Sequence, residues 1–329
     1  MRKRIIATIA FALLVLAGIS AQATKINFQL NWKISGDHAP YYVAMEKGWF
    51  KEEGLDVNVM IGQGSGFTVQ MVDAGKAQIG ISDAPVPIEA RAKGANVKIV
   101  GIIFDKHPNC MFFWKDSGIK APQDLKGKTV AVPASDGHKV MWPAFAKLIG
   151  LNASDVKFIN IEPTAKPAAL GSKQADVVFE LFTGKPFMEK AVPADQLGWI
   201  IWADYGFNAY AHSYIANADF MKNNPEALRK FLKVSYKAWQ YTLNNIPEAI
   251  SILSKYHPIN TDDFIANLTA VKEFFKTDRY KNYGIGYIDP SRMQDTINTV
   301  KEKGLAMNPD PNYYYSSEFL PSPPFKFNF

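Results

Sequence analysis

The sequence predicts an α/β protein of two lobes with a ligand cleft between them, and three observations predict it. Short apolar segments alternate with helical segments of roughly ten residues. This alternation restarts near Cys110, and after Tyr205 it gives way to long helices, so the chain crosses between lobes twice. With 329 residues, 47% of them hydrophobic and 21% charged, the chain has material for two cores and is not predominantly disordered.

Taken in order, Arg2, Lys3 and Arg4 precede an apolar run over 5–19 and then Ser20-Ala21-Gln22-Ala23. The run is shorter than the roughly 20 residues a helix needs to span a bilayer. With small residues at its end it reads as a signal peptide over 1–23, cleaved before Thr24. Its loss takes the formal charge from +6 to +3 over the remaining 306 residues. Without a basic stripe interleaved with aromatics, no nucleic-acid partner is expected.

Residues 25–31 place Ile26, Phe28 and Leu30 on one face, the period of a strand. Asp37-His38-Ala39-Pro40 offers an N-terminal acid and an early proline, predicting a helix to Gly48. The same order recurs with strands over 55–61, 77–81 and 97–104 and helices over 67–74 and 85–93, which predicts a mostly parallel sheet. Past Cys110, strands are expected over 128–133, 156–161, 176–179 and 199–203, with helices over 138–149 and near 167–170. Beyond Tyr205, Leu228, Phe231, Leu232, Ser235, Ala238, Trp239 and Thr242 form one helical stripe. Helices over 247–256, 261–277 and 290–303 follow, and the proline- and aromatic-rich tail from 309 is expected to pack along the surface. The lobes are therefore expected over 24–108 with 205–329, and over 109–204.

One cysteine allows no internal disulfide, and five scattered histidines form no zinc motif. No cofactor and no catalytic residue are expected. Ligands of open α/β sheets sit beyond the carboxyl ends of strands, so the chemistry is sought in the loops there. Gly64 and Ser65 lie in a glycine-rich turn without the Walker lysine or dinucleotide spacing; it either faces a ligand or merely lets the chain bend. Ser82 and Asp83, and Ser135 and Asp136, precede helix starts, where unsatisfied N–H groups make a polar floor. Trp32, Tyr41, Tyr42, Trp142 and Tyr205 are candidate walls for a planar ligand, with core packing as the alternative. Asp37 and His38 offer a cap and a donor. Glu180 follows an apolar strand and can accept N–H bonds from an amino-substituted ring. The four arginines outside the leader, Arg91, Arg229, Arg279 and Arg292, all avoid these loops, which tilts against a strongly anionic ligand.

Leu30-Asn31-Trp32, Asp37-His38-Ala39-Pro40-Tyr41-Tyr42-Val43-Ala44 and Lys47-Gly48-Trp49-Phe50-Lys51-Glu52-Glu53-Gly54-Leu55-Asp56-Val57 resemble the opening of periplasmic solute-binding proteins of the nitrate/sulfonate/thiamine-pyrimidine group, the NMT1/THI5-like family. Asp124-Leu125-Lys126-Gly127-Lys128, Gln174-Ala175-Asp176-Val177 and Asn223-Asn224-Pro225-Glu226 agree with it. The resemblance implies a type II periplasmic-binding-protein fold, a monomer closing on a small molecule and handing it to the permease of an ABC importer. It also implies binding roles for Trp32, His38, Tyr41, Tyr42 and Glu180 around a thiamine pyrimidine precursor; riboflavin-type and anion binders are close relatives. The eukaryotic enzyme that makes the thiamine pyrimidine shares the fold and a similar opening. Its cysteine-rich iron-binding motif has no counterpart beside the lone Cys110.

Overall fold

The computed structural model describes residues 22–327. The expected leader lies outside them except for its last two residues. Among the described residues, no helix is long and apolar enough to cross a membrane.

Two five-stranded sheets carry the fold. The first has the order β2-β1-β3-β10-β4, from β1 (Thr24–Gln29), β2 (Leu55–Met60), β3 (Ile79–Asp83), β4 (Val97–Ile102) and β10 (His212–Asn217). β1 runs parallel to β2 and β3, with Phe28 opposite Val59 and Ile79. The second has the order β7-β6-β8-β5-β9, from β5 (Asn109–Trp114), β6 (Thr129–Ala131), β7 (Lys157–Ile159), β8 (Val177–Leu181) and β9 (Leu197–Ile201).

Four strands of each sheet run the same way, as the expectation of a mostly parallel sheet has it, and one runs against them: β10 is antiparallel to β3 and β4, and β5 to β8 and β9. Both strands escape a periodicity reading for one reason. β10 is buried at every position and β5 at all but Trp114, so neither alternates apolar with polar. They are the strands by which the chain enters the second lobe and returns to the first. Asp83 and Glu180, expected in loops, are the last residue of β3 and the last but one of β8.

The helix Pro225–Asn244 buries every residue of the predicted stripe. Its Trp239 indole N–H reaches the hydroxyls of Tyr41 and Tyr214, at 3.3 and 3.2 Å, and those hydroxyls lie 2.9 Å apart. Phe28 packs edge-on to Tyr41 at 4.7 Å, completing an aromatic core between sheet and helices. The expected helix over 261–277 ends at Glu273, and a short helix, Asp278–Tyr283, follows. The tail lies against the first lobe: Ser316 N–H donates to Ile99 O at 2.9 Å, and Arg91 Nε to Tyr313 O at 2.6 Å.

Candidate functional site

The lobes enclose a cavity of about 300 Å³. The first lobe supplies the loop after β1, the turn before the helix Ser65–Asp73, the end of β3, the start of β10 and Phe264 and Asn267 of the helix Thr261–Glu273. The second supplies the start of the helix Gly137–Leu148, residues 163–167, the end of β8 and the segment 181–188. These are largely the carboxyl ends of strands, where the sheets leave backbone groups and helix starts facing one another.

Glycine makes this approach possible at two points. Gly64 has φ +127°, and a Cβ there would sit 2.4 Å from Ser135 O; a Cβ on Gly137 would sit 2.2 Å from Asp83 Oδ2. The lobes are also joined by Ser135 Oγ donating to Gln63 O at 2.6 Å, and by Asn267, whose Nδ2 donates to Thr183 O at 2.7 Å while its Oδ1 accepts Gly36 N–H at 2.7 Å.

Among the residues expected at a site, the structure brings Trp32, Asp37, Gly64, Ser65, Asp83, Asp136 and Glu180 to the cavity. It puts the others elsewhere. Tyr41 is wholly buried in the aromatic core, because its helix, Ala39–Glu46, is covered by later helices. Tyr42 turns its hydroxyl to His257 Nε2 at 2.7 Å and its ring to Tyr256. Trp142 lies in the second lobe's core, with Nε1 donating to Ala153 O at 2.9 Å and its ring against Phe179. Ser82 is buried within β3, where its carbonyl accepts from Ser213 Oγ. Ser135 serves the contact between lobes, and Tyr205 is 40% exposed, away from the cavity.

His38 lies one layer behind the wall. Its Nδ1 accepts Ser35 N–H at 3.2 Å, so a neutral ring carries its proton on Nε2 and donates it to Asn31 Oδ1 at 3.1 Å. That turns the Asn31 amide N–H toward His212 Nε2 at 3.0 Å, leaving His212 Nδ1 facing Asp37 at 3.8 Å. Burial lowers the His38 pKa, and Asp37 offsets only part of that, which keeps the ring neutral. Phe104 stacks on His212 at 4.8 Å. Beside it Ser65 Oγ donates to Asp83 Oδ2 at 3.0 Å and accepts Asp83 N–H at 3.1 Å.

The opposite wall is ionic, and its centre was missed in the sequence. Lys166, 2% exposed, reaches Asp136 Oδ2 at 2.7 Å and Glu180 Oε2 at 3.1 Å, and its Nζ lies 4.5 Å from the Trp32 ring centroid. Asp136 Oδ1 accepts both the backbone N–H and the Nδ1–H of His138, at 2.9 and 2.6 Å, capping the helix. Burial alone would raise the Asp136 carboxyl, but Lys166 and His138 outweigh it and hold it well below the usual carboxylate range. Burial likewise opposes the Lys166 ammonium, and Asp136 with Glu180 more than restores it, raising its pKa. Glu180 Oε1 accepts the N–H of Leu181 at 2.7 Å.

Four carboxylates and two ammonium groups thus line the cavity, with a half-buried indole between them. Among the described residues no arginine lines it: Arg91 lies over Tyr313, Arg229 over Phe319, and Arg279 and Arg292 pair with Asp105.

This geometry has recognisable company. A 4-amino-5-hydroxymethyl-2-methylpyrimidine phosphate synthase of Saccharomyces cerevisiae is 29% identical over 234 residues, 67% of each chain. A formylaminopyrimidine-binding protein of Halalkalibacterium halodurans is 25% identical over 231 residues, 69% of each chain. A Candida albicans protein described as having the generic periplasmic binding protein fold superposes with a TM-score of 0.65 at 16% identity, covering 90% of this chain and 96% of its own. The fold is therefore that of the periplasmic binding proteins. A family model described as NMT1/THI5 like matches residues 35–249, and with more than half of its length inside that match the chain belongs to the NMT1/THI5-like family.

Proposed function

We propose that the protein is the solute-binding component of an ABC importer. In this reading it is exported to the periplasm, where lobes 24–108 with 205–329 and 109–204 close on a small amino-substituted aromatic heterocycle of the thiamine-pyrimidine class. The observation that carries the reading is the cavity wall, which among the described residues has an indole face, four carboxylates and no guanidinium. Carboxylates accept N–H bonds and repel anions, so the wall favours an aminopyrimidine over a sulfonate or nitrate. A volume of about 300 Å³ lies at the small end of ligand pockets, suiting one ring better than a flavin. Trp32 stacks on the ring, and Glu180, Asp83 and Asp37 face its donors. The formylaminopyrimidine-binding relative supports this class of solute.

The synthase relatives suggest a second reading, an enzyme acting on the same ring. We take binding without chemistry as the function here, since Cys110 is wholly buried in the second lobe's core and its thiol is pushed well up by burial.

Calorimetric titration with 4-amino-5-hydroxymethyl-2-methylpyrimidine, formylaminopyrimidine, riboflavin and an alkanesulfonate tests the reading. A pyrimidine should bind at micromolar level, about −8 kcal/mol. Trp32→Ala and Glu180→Gln should each weaken it at least tenfold, about 1.4 kcal/mol. Tight binding of the sulfonate alone would reject the heterocycle, and products in the mass spectrum after incubation would reject transport without chemistry.

A further inference from the structure

Of the two ammonium groups lining the cavity, Lys33 is half-exposed, so its charge is shared with water. Lys166 is the opposite case. It is held between Asp136 and Glu180 inside a wall from which water is nearly excluded. An ammonium has three N–H donors in tetrahedral array, and two carboxylates can take at most one each at these ion-pair distances of 2.7 and 3.1 Å, which leaves at least one donor over. Its remaining neighbour is the Trp32 ring, 4.5 Å from Nζ, and an indole face is a far weaker acceptor than a nitrogen or oxygen lone pair.

We infer that Lys166 is a specificity-determining residue, giving this remaining N–H to an acceptor heteroatom of the bound ring, either a ring nitrogen or an oxygen attached to it. The inference rests on the heterocycle reading above and deepens it. Lys166 Nζ and Glu180 Oε2 stand 3.1 Å apart, a donor beside an acceptor on one wall. An amino group next to a ring nitrogen presents the complementary pair along one edge. Such an edge meets both groups at once and fixes the in-plane orientation of a ring that stacking on Trp32 alone would leave free to rotate. A site built to donate rejects an isostere that lacks the acceptor, because the ammonium is left without its third partner.

The test compares 4-amino-5-hydroxymethyl-2-methylpyrimidine with its carbocyclic isostere, in which both ring nitrogens are C–H, by calorimetry on the mature protein. The wild type should prefer the pyrimidine by about 30-fold or more. Lys166→Met should bring the two within about threefold. Because that change strands two carboxylates, Lys166→Met/Glu180→Gln is measured beside it, with a single cooperative melt as the criterion of folding. A folded double variant that keeps the full preference overturns the role of Lys166 and leaves the heterocycle reading standing, as does a wild type that binds both rings equally. Ethanesulfonate, which carries only acceptors, is the third probe. If it alone binds the wild type, the heterocycle reading falls, and the role of Lys166 toward a bound ring falls with it. Failure of the wild type to bind any of the three overturns both.

Discussion

The two walls of the cavity bury polar groups by different means. On the first lobe, hydrogen bonds run from Ser35 to His38, Asn31 and His212 through uncharged amide, hydroxyl and imidazole groups, and only beyond them does His212 Nδ1 face the Asp37 carboxylate, at 3.8 Å. On the second, Lys166 pairs ion to ion with Asp136 and Glu180, and the other carboxylate oxygens accept the backbone N–H groups of His138 and Leu181. A neutral chain tolerates the loss of one member at the cost of one unsatisfied group. A buried ionic cluster does not, because removing one partner leaves a charge in a poor solvent. The first wall should therefore be adjustable and the second brittle, and that difference can be broken or sharpened by substitution.

The largest effect is expected at Asp136. Asn at this position can still cap the helix and accept from His138 N–H, so Asp136→Asn removes the charge while keeping the shape. It should cost about 3 kcal/mol, the low end for breaking a buried pair, since Lys166 keeps Glu180. Urea denaturation at neutral pH measures this, and a loss under 1 kcal/mol would mean the wall is not brittle. The pH dependence has a fixed sign. The native carboxyl titrates below its unfolded value of about 3.9, so on acidification the unfolded chain takes up the proton first. The stability it contributes is fully present above that value and is lost as pH falls below it through the native one. Asp136→Asn should lack that part of the acid limb.

His38 is the matching test on the neutral wall. His38→Gln leaves Asn31 without a rigid donor and should cost about 1–2 kcal/mol, less than Asp136→Asn. Its native pKa is lowered from an unfolded value of about 6.5. Stability from this group is therefore complete above that value and drains away as pH falls through the native one. His107, pushed well below its ordinary value chiefly by burial, has a limb of the same sign. His38→Gln should thus flatten the stability profile below about pH 6.5 without abolishing it, because His107 and His257, also lowered by burial, keep limbs of the same sign. An unchanged slope would show that His38 takes up its proton over the same pH range in the native and the unfolded chain.

This contrast also accounts for what the sequence reveals. The strand–helix grammar, the restart near Cys110 and the stripe of Pro225–Asn244 are legible because burial on one face leaves a period. β5 and β10 carry no such period, being buried on both faces, and with β10 goes His212, one of the central wall residues. Small polar residues at strand ends point to Ser65, Asp83 and Asp136, since backbone geometry alone puts such positions at a cleft. Aromatics point less well. A ring on a helix with apolar neighbours gains as much from a core as from a ligand, and Tyr41 and Trp142 both take the core. Lys166 is invisible in sequence because its partners come from distant segments. A lysine opening the short apolar helix Lys166–Gly171 is the local sign that its side chain is paired rather than solvated.

The smallest effect is expected at Tyr205, and it tests where the walls end. The ring sits 40% exposed on the turn Trp202–Tyr205, beside the second crossing between sheets and outside the cavity. Tyr205→Ala should change stability by less than about 0.5 kcal/mol, as for surface positions in general. Pyrimidine affinity should stay within about twofold, because neither wall loses a contact. Its neighbour Trp202, wholly buried and stacked on Phe145 at 4.4 Å, shows how abruptly the environment changes along this turn. A tenfold loss of affinity in Tyr205→Ala, with stability unchanged, would mean that the solute-bound protein draws this turn toward the cleft. The ring would then form a third wall, joining the neutral chain to the ionic cluster, and the two-wall comparison would have to include the crossing itself.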